Sequence, residues 1–267
     1  MARLTVIKVG GKIVEESESL QSLLDRFARI EGFKLLVHGG GRSATRLAEQ
    51  LQIPQQMIDG RRVTDAETLR VVTMVYGGLV NKQIVASLQA RGINALGLTG
   101  ADLNVMRSHR RPPKLVKTGD FAGQQVDYGF VGDVDSVNAD ILARLIADGV
   151  VPVMAPLTHD GAGSMLNTNA DTIAGETAKA LAPHFDVTLM YCFEKKGVLL
   201  NPDDDESVIP SIRSDEFPAL VQQGVVSGGM LPKLENSFAA IAAGVCQVVI
   251  TRADAIDNSE SGTRLSR

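Results

Sequence analysis

Six short runs of the chain are apolar almost throughout: residues 4–9, 33–37, 93–98, 150–154, 187–192 and 245–250. A strand with one face in water alternates apolar and polar residues, so unbroken runs of this length predict strands of a parallel sheet covered on both faces. Between them, Leu, Ile, Val and Ala recur at helical spacing over residues 20–30, 43–51, 66–90, 141–147, 170–181 and 234–243. Strand and helix alternate from end to end, which predicts a doubly wound α/β fold. Two segments break the rhythm. Residues 105–134 are polar and punctuated by Pro and Gly, with a basic cluster at Arg107, His109, Arg110 and Arg111 that continues to Lys114 and Lys117. They read as hairpins set on the sheet edge, or as a solvated loop. Residues 201–206 (Asn-Pro-Asp-Asp-Asp-Glu) read as a solvated acidic turn. A lobe boundary falls best at residues 183–186, dividing the chain into 1–184 and 185–267.

Composition narrows the partners. The 267 residues carry 27 Lys and Arg against 31 Asp and Glu, a formal net charge of −4, with 44% apolar and 22% charged residues. These are ordinary globular values, and the mild acidity argues against nucleic acid or an anionic membrane as the main partner. An anionic ligand must therefore meet a few placed cations. Cys192 and Cys246 both lie in apolar stretches, so a disulfide framework is not expected and a reducing cytoplasm is the default. The longest uncharged apolar-rich stretch, 236–251, is shorter than a membrane span and reads as a helix followed by a buried strand.

Candidate chemistry clusters where predicted strands end in glycine. Lys8-Val9-Gly10-Gly11-Lys12 closes the first strand. A glycine pair there lets ligand oxygens approach backbone N–H groups, or makes a plain tight turn beside a snorkelling lysine. His38-Gly39-Gly40-Gly41 closes the second strand and opens a helix, an arrangement suited to anions. Gly39, Gly41 and Ala44, with Asp59 about twenty residues on, also match a loose dinucleotide fingerprint. His38 taken alone reads more readily as a structural histidine than as a base. Arg61 and Arg62 precede a helix start at Thr64 and Asp65, and either capture a carboxylate or phosphate or form a surface pair. In Asn167-Thr168-Asn169-Ala170-Asp171, Asn169 is a natural N-cap and Asp171 a first-turn acid, which leaves Asn167 unexplained. In Ser227-Gly228-Gly229-Met230-Leu231-Pro232-Lys233, a lysine falls at a helix start, where the helix dipole disfavours it unless an anion is bound.

Together the ordered motifs Lys-x-Gly-Gly, His-Gly-Gly-Gly, Arg-Val-Thr, Asn-x-Asn-Ala-Asp and Gly-Met-x-x-Lys resemble the amino acid kinase family, specifically its branch acting on N-acylated glutamate. The resemblance spans essentially the whole chain. It implies an open αβα sandwich whose N-terminal lobe binds the acylglutamate and forms a homodimer, and whose C-terminal lobe binds ATP with Mg2+ carried on the nucleotide. It implies phosphorylation of the γ-carboxylate of N-acetyl- or N-succinylglutamate, the second step of arginine biosynthesis. Lys8 and Lys233 would flank the transferring group and Asp171 would hold both. Gly40, Gly41, Arg62 and Asn167 would contact the substrate, and Gly10, Gly11, Glu194, Gly197, Val225, Val226 and Ser227 the nucleotide. Arginine-inhibited members carry an N-terminal helix ahead of the first lysine, so a dimer insensitive to arginine is expected. The family's usual Thr/Ser-Asp-Val-x-Gly turn is replaced by Cys192-Phe193-Glu194-Lys195-Lys196-Gly197, with Glu194 in the aspartate's place and two additional lysines. The cation-rich segment 107–117, where the family has a hairpin over the substrate, would suit an acyl group ending in a second carboxylate. The alternatives are another carboxylate or carbamate kinase of this fold, or a non-catalytic nucleotide sensor.

Overall fold

The computed structural model describes the chain apart from residues 59, 117–120, 227–229 and 259. At its centre lie strands β1 (Arg3–Val9), β2 (Phe33–His38), β3 (Ala95–Leu98), β4 (Val151–Met154), β5 (Asp186–Phe193), β6 (Ser211–Arg213), β7 (Gln247–Arg252) and β8 (Thr263–Ser266). They form one sheet in the order β6-β8-β7-β5-β1-β2-β4-β3. The six strands expected from apolar runs are its parallel part, from β7 across to β3. The antiparallel β8 and its parallel neighbour β6 extend the far edge. Those two strands are short and mostly polar, so they carry no apolar signature.

The helices are α1 (Gly11–Glu15), α2 (Ser17–Arg29), α3 (Gly41–Gln50), α4 (Ala66–Gln89), α5 (Ala139–Ala147), α6 (Ala170–Leu181), α7 (Phe217–Gln222) and α8 (Met230–Ala242). Alternate residues of β1 face opposite layers, as the pleat requires. Leu4 and Val6 join a core with Ile173, Leu181, Leu234 and Ile241 of α6 and α8. Ile7 and Val9 join a second core with Leu24 and Phe27 of α2 and Ile84 and Leu88 of α4. Each such fully buried side chain contributes about 1.5–3 kcal/mol through lost apolar surface. Helix α4 has the length and apolarity of a membrane span, yet Val71, Val72, Val75, Ile84 and Leu88 pack into the second core. Its middle, Thr73–Val80, is π-helical.

The polar interruption is not a hairpin on the main sheet. Met106–Arg110, Gly132–Val137, Leu157–His159 and Met165–Asn167 build a separate four-stranded sheet, with a small hairpin from Lys114–Leu115 and Gln125–Val126 beside it. Val105 and Met106 sink into the first core, which anchors this sheet and leaves β3 as the open edge of the main one. The basic cluster is largely matched by acids in the same region. His109 Nδ1 lies 2.6 Å from Asp135, Arg111 pairs with Asp133, and Arg110 reaches Asp127 at 3.6 Å while covering the Phe130 ring. The hydrogen bond from Arg111 holds the Asp133 carboxyl below its usual range. These are side-chain pairs across and beside the ladder, the sheet's ordinary stabilising unit. The two additional lysines after Glu194 are also accounted for: Lys195 lies 3.0 Å from Asp205 and Lys196 pairs with Glu206, so the acidic turn neutralises them.

Candidate active site

The parallel strands direct their carboxyl ends to one edge, and the glycine turns after β1 and β2 meet there. The turn after β1 and the turn after β2 lie backbone against backbone: a Cβ on Gly39 would fall 3.1 Å from the Gly11 nitrogen, and the Gly39 N–H donates to the Val9 carbonyl at 3.1 Å. A Cβ on Gly40 would fall 3.0 Å from the Tyr76 ring, so side chains at these positions would push the two turns and α4 apart.

Lys8, Asp171 and Lys233 come together on one face of the sheet. Lys8 shares its pleat direction with Leu4 and Val6 and therefore points toward α6 and α8. Asn169 caps α6, its side chain accepting from the N–H groups of Asp171 (2.8 Å) and Thr172 (3.3 Å), which places Asp171 in the first turn. Asp171 Oδ1 lies 2.8 Å from Lys8 Nζ, an ion pair off the hydrogen-bonding axis that leaves this buried oxygen without a hydrogen bond from any described group. Lys8 is 8% exposed. Lys233 stands in the first turn of α8, with its ammonium 3.7 Å from the centroid of the Phe193 ring, and Lys8 Nζ is 5.3 Å from the same centroid. Partial burial pushes the Lys233 pKa down, the Asp171 charge pulls it back up, and Lys8 pushes it down again. Two cations and one anion therefore gather beside one aromatic face. The cation at a helix start, unfavourable in itself, has a nearby acid and ring as partial compensation.

Two cavities flank this cluster. The first, about 200 Å3, is lined by Gly39, Gly40 and Gly41, by Arg61 and Arg62, and by Asn167 through Ala170, the residue before Asp171. Arg62 is nearly buried; its Nη2 donates to the Gly41 carbonyl at 2.8 Å and to Thr45 Oγ1 at 2.9 Å, and its Nη1 donates to Gln55. Asn167 donates to Thr64 Oγ1 at 3.0 Å. Tyr76 also lines this cavity, and burial raises its pKa. Arg61 has its pKa lowered by burial and by the Arg111 charge. The second cavity, about 290 Å3, is lined by Lys12, Phe193, Glu194, Gly197, Met230 and Lys233 among others. Glu194 there lies 3.3 Å from Lys12. Gly197 is needed where it is, since a Cβ would fall 2.6 Å from Thr263 Oγ1.

Of the residues expected at the site, Lys8, Asp171 and Lys233 converge; Gly40, Gly41, Arg62 and Asn167 share the first cavity; and Glu194 and Gly197 share the second. Gly10 is the residue between β1 and α1 and caps that helix, and Gly11 is its first residue. Val226 packs in the first core and Val225 is half-buried, and neither lines a cavity described above. Ser227 lies outside the described residues, as do Asp59 and Lys117. Phe193 and Tyr76 were not anticipated: an aromatic residue at a strand end and another within a long helix give no sequence signal for facing a site. Among the described residues no three His, Cys, Asp or Glu side chains gather as metal ligands.

This fold, with glycine turns and paired lysines at one sheet edge between two cavities, is that of a phosphotransferase, and the chain belongs to the amino acid kinase family, whose profile matches residues 3–252. It is 69% identical over 265 residues to the acetylglutamate kinase of Phocaeicola vulgatus, covering 99% of both chains. A solved Streptococcus mutans protein is 29% identical, with a TM-score of 0.71 and 98% coverage of each chain. Carbamate kinase from Giardia lamblia, solved with AMP-PNP, shares the fold at a TM-score of 0.69 and 15% identity, with 99% of this chain and 98% of that one covered.

Proposed function

We propose that the chain transfers the γ-phosphoryl group of ATP to the γ-carboxylate of an N-acylated glutamate, with N-acetyl-L-glutamate as the first substrate to test. The observation that carries this reading is the Lys8–Asp171–Lys233 cluster lying between the two cavities. Its 69% identical relative is named an acetylglutamate kinase, which supports the same acceptor and a place in arginine biosynthesis. In the reaction a carboxylate oxygen forms a bond to the γ-phosphorus while the bond to the ADP oxygen breaks, its electron pair leaving on ADP. The nucleophile is already ionised, so no base is needed. Lys8 and Lys233 meet the charge that spreads over the transferring oxygens, and Asp171 keeps the ammonium groups aimed. At the start of α3 the Ser43 N–H donates to the Glu15 carboxylate, which leaves the Gly41 and Arg42 N–H groups available to phosphoryl oxygens. Arg62 and Asn167 hold the α-carboxylate and acylamino ends, and Glu194 and Gly197, which line the second cavity, hold the nucleotide. Mg2+ carried by the nucleotide would neutralise phosphate charge. Residues 1–184 would then be the acceptor lobe and 185–267 the nucleotide lobe.

Arg61 favours a second reading of the acyl group. A half-buried guanidinium in the first cavity beside Arg62 offers a site for a further carboxylate, as in N-succinylglutamate. The segment 107–111 offers less than its composition promises, since Arg110, Arg111 and His109 are matched by aspartates. A panel of acetylglutamate, succinylglutamate, glutamate and carbamate with coupled ADP detection tests both points. ADP release with an acylglutamate is expected; release with carbamate alone would refute the assignment. Arg62→Ala is expected to raise the KM for the acylglutamate about 10- to 100-fold with little change in kcat, as for an interaction equally strong before and during transfer. A fall in kcat alone would assign Arg62 another role.

We place the protein in the cytoplasm as a homodimer. Met74 and Leu79 on α4 are 52% and 63% exposed, and Leu96 lies on the open edge strand β3, which together offer an apolar face and an unpaired strand to a second copy.

A further inference from the structure

His38 ends β2 immediately before the glycine turn and is fully buried, yet it touches neither cavity. Its Nδ1 lies 2.7 Å from the Gly39 carbonyl oxygen, and its Nε2 lies 3.1 Å from Asn81 Nδ2. A carbonyl can only accept and an amide nitrogen can only donate, so these partners together require a neutral ring protonated at Nδ1. Asn81 is fixed in turn: its Nδ2 also donates to the Val153 carbonyl at 2.9 Å, and its Oδ1 accepts from Lys82 Nζ at 3.1 Å.

The helix places Asn81 there through its π turn. Asn81 N–H donates to the Tyr76 carbonyl, a five-residue closure. In an α-helix residues five apart point roughly 140° away from one another. The π turn brings them toward one side, so Tyr76 meets Gly40 while Asn81 meets His38. Two successive residues of the turn, Gly39 and Gly40, are thus held by one helical segment.

We propose that His38 and Asn81 are positioning residues: as an Nδ1-protonated imidazole and its amide donor, they fix the Gly39 carbonyl and so aim the following Gly40 and Gly41 N–H groups at the transferring phosphoryl group. This rests on the phosphotransfer reading above. The environment agrees with the assignment. Burial holds the His38 pKa down at about 4, with the Gly39 hydrogen bond raising it and Lys82, the one charged group acting on the ring among the described residues, lowering it. His38 therefore stays neutral across the working range and adds no titration of its own.

The wild-type protein supplies the first test. Nitrogen-15 spectra of the imidazole between pH 6 and 8 should show a neutral ring carrying its proton on Nδ1; an Nε2-protonated ring, or a ring titrating near 6.5, would overturn the proposal. Asn81→Asp supplies the second. A carboxylate cannot donate to Nε2, so it keeps the ring in place only by drawing a second proton onto His38 and raising its pKa. In this variant kcat should fall about 10- to 100-fold as pH rises through that new pKa, where carboxylate and neutral imidazole no longer match and the turn shifts. The KM values for both substrates should stay within about threefold, as expected when an interaction made only in the transition state is lost. A pH-independent kcat in Asn81→Asp, with wild-type KM values, would contradict the positioning role. Failure of the wild type itself to phosphorylate any acylglutamate would instead refute the underlying reading, and the imidazole spectrum would still report on the ring.

Discussion

Lys8→Ala and Lys233→Ala should each lower kcat about 100- to 1,000-fold, the loss that follows removal of one preorganised donor to a developing charge. The two lysines come from elements far apart in sequence, yet both ammonium groups stand beside Phe193, at 5.3 and 3.7 Å from its centroid. A chain that merely held a nucleotide would need charge on the phosphates it binds, whereas this pair lies between an acceptor-sized cavity and a second one. The loss should therefore appear in kcat, with smaller changes in either KM. Steady-state kinetics on the two variants check this, with thermal unfolding to confirm that each is folded. Lys233→Ala should unfold no earlier than the wild type, because its ammonium is already disfavoured by burial. Unchanged kcat in either variant would remove that lysine from the reaction.

Asp171→Asn should lower kcat about 10- to 100-fold at neutral pH and move its alkaline limb to lower pH. The sign follows from the three influences on Lys233. Burial and Lys8 push its pKa down, and Asp171 pulls it up. Removing the carboxylate charge leaves the two lowering influences in place, so Lys233 gives up its proton at a lower pH than before. Activity that needs a charged Lys233 must then fail earlier as pH rises. The Lys8 ammonium also loses its partner at 2.8 Å and with it a fixed direction. A pH profile of kcat for the wild type and the variant separates this from simple loss of fold, since a generally weakened protein would lose activity without displacing the limb. Coincident alkaline limbs would show that Asp171 does not act on the cations.

The strand positions were legible because parallel strands buried on both faces leave unbroken apolar runs, and all six such runs became strands of the main sheet. The order of those strands was not legible. That β1 lies between β5 and β2 depends on the crossovers of α2 and α6, and this order is what brings Lys8 beside Asp171 and Phe193. Asn169 could be read as an N-cap because capping is local, and the structure shows the two hydrogen bonds expected of it. The charge of segments 107–111 and 195–196 misled for the opposite reason: their neutralising partners, Asp127, Asp133, Asp135, Asp205 and Glu206, lie elsewhere in the sequence and become visible only once strands and turns are paired. The π turn in α4 has no residue signature at all. The apolar spacing of residues 66–90 predicts a helix and is silent on whether Tyr76 and Asn81 share a side.

In the proposed reaction a carboxylate, held in the cavity beside Arg62 and Asn167, receives the phosphoryl group as an acyl phosphate. Trapping with hydroxylamine reads that product directly. With ATP, Mg2+ and N-acetyl- or N-succinylglutamate, the protein should yield the γ-hydroxamate in equal amount to ADP, and Lys8→Ala should yield almost none in the same time. ADP without hydroxamate, or hydroxamate formed equally by Lys8→Ala, would contradict the account.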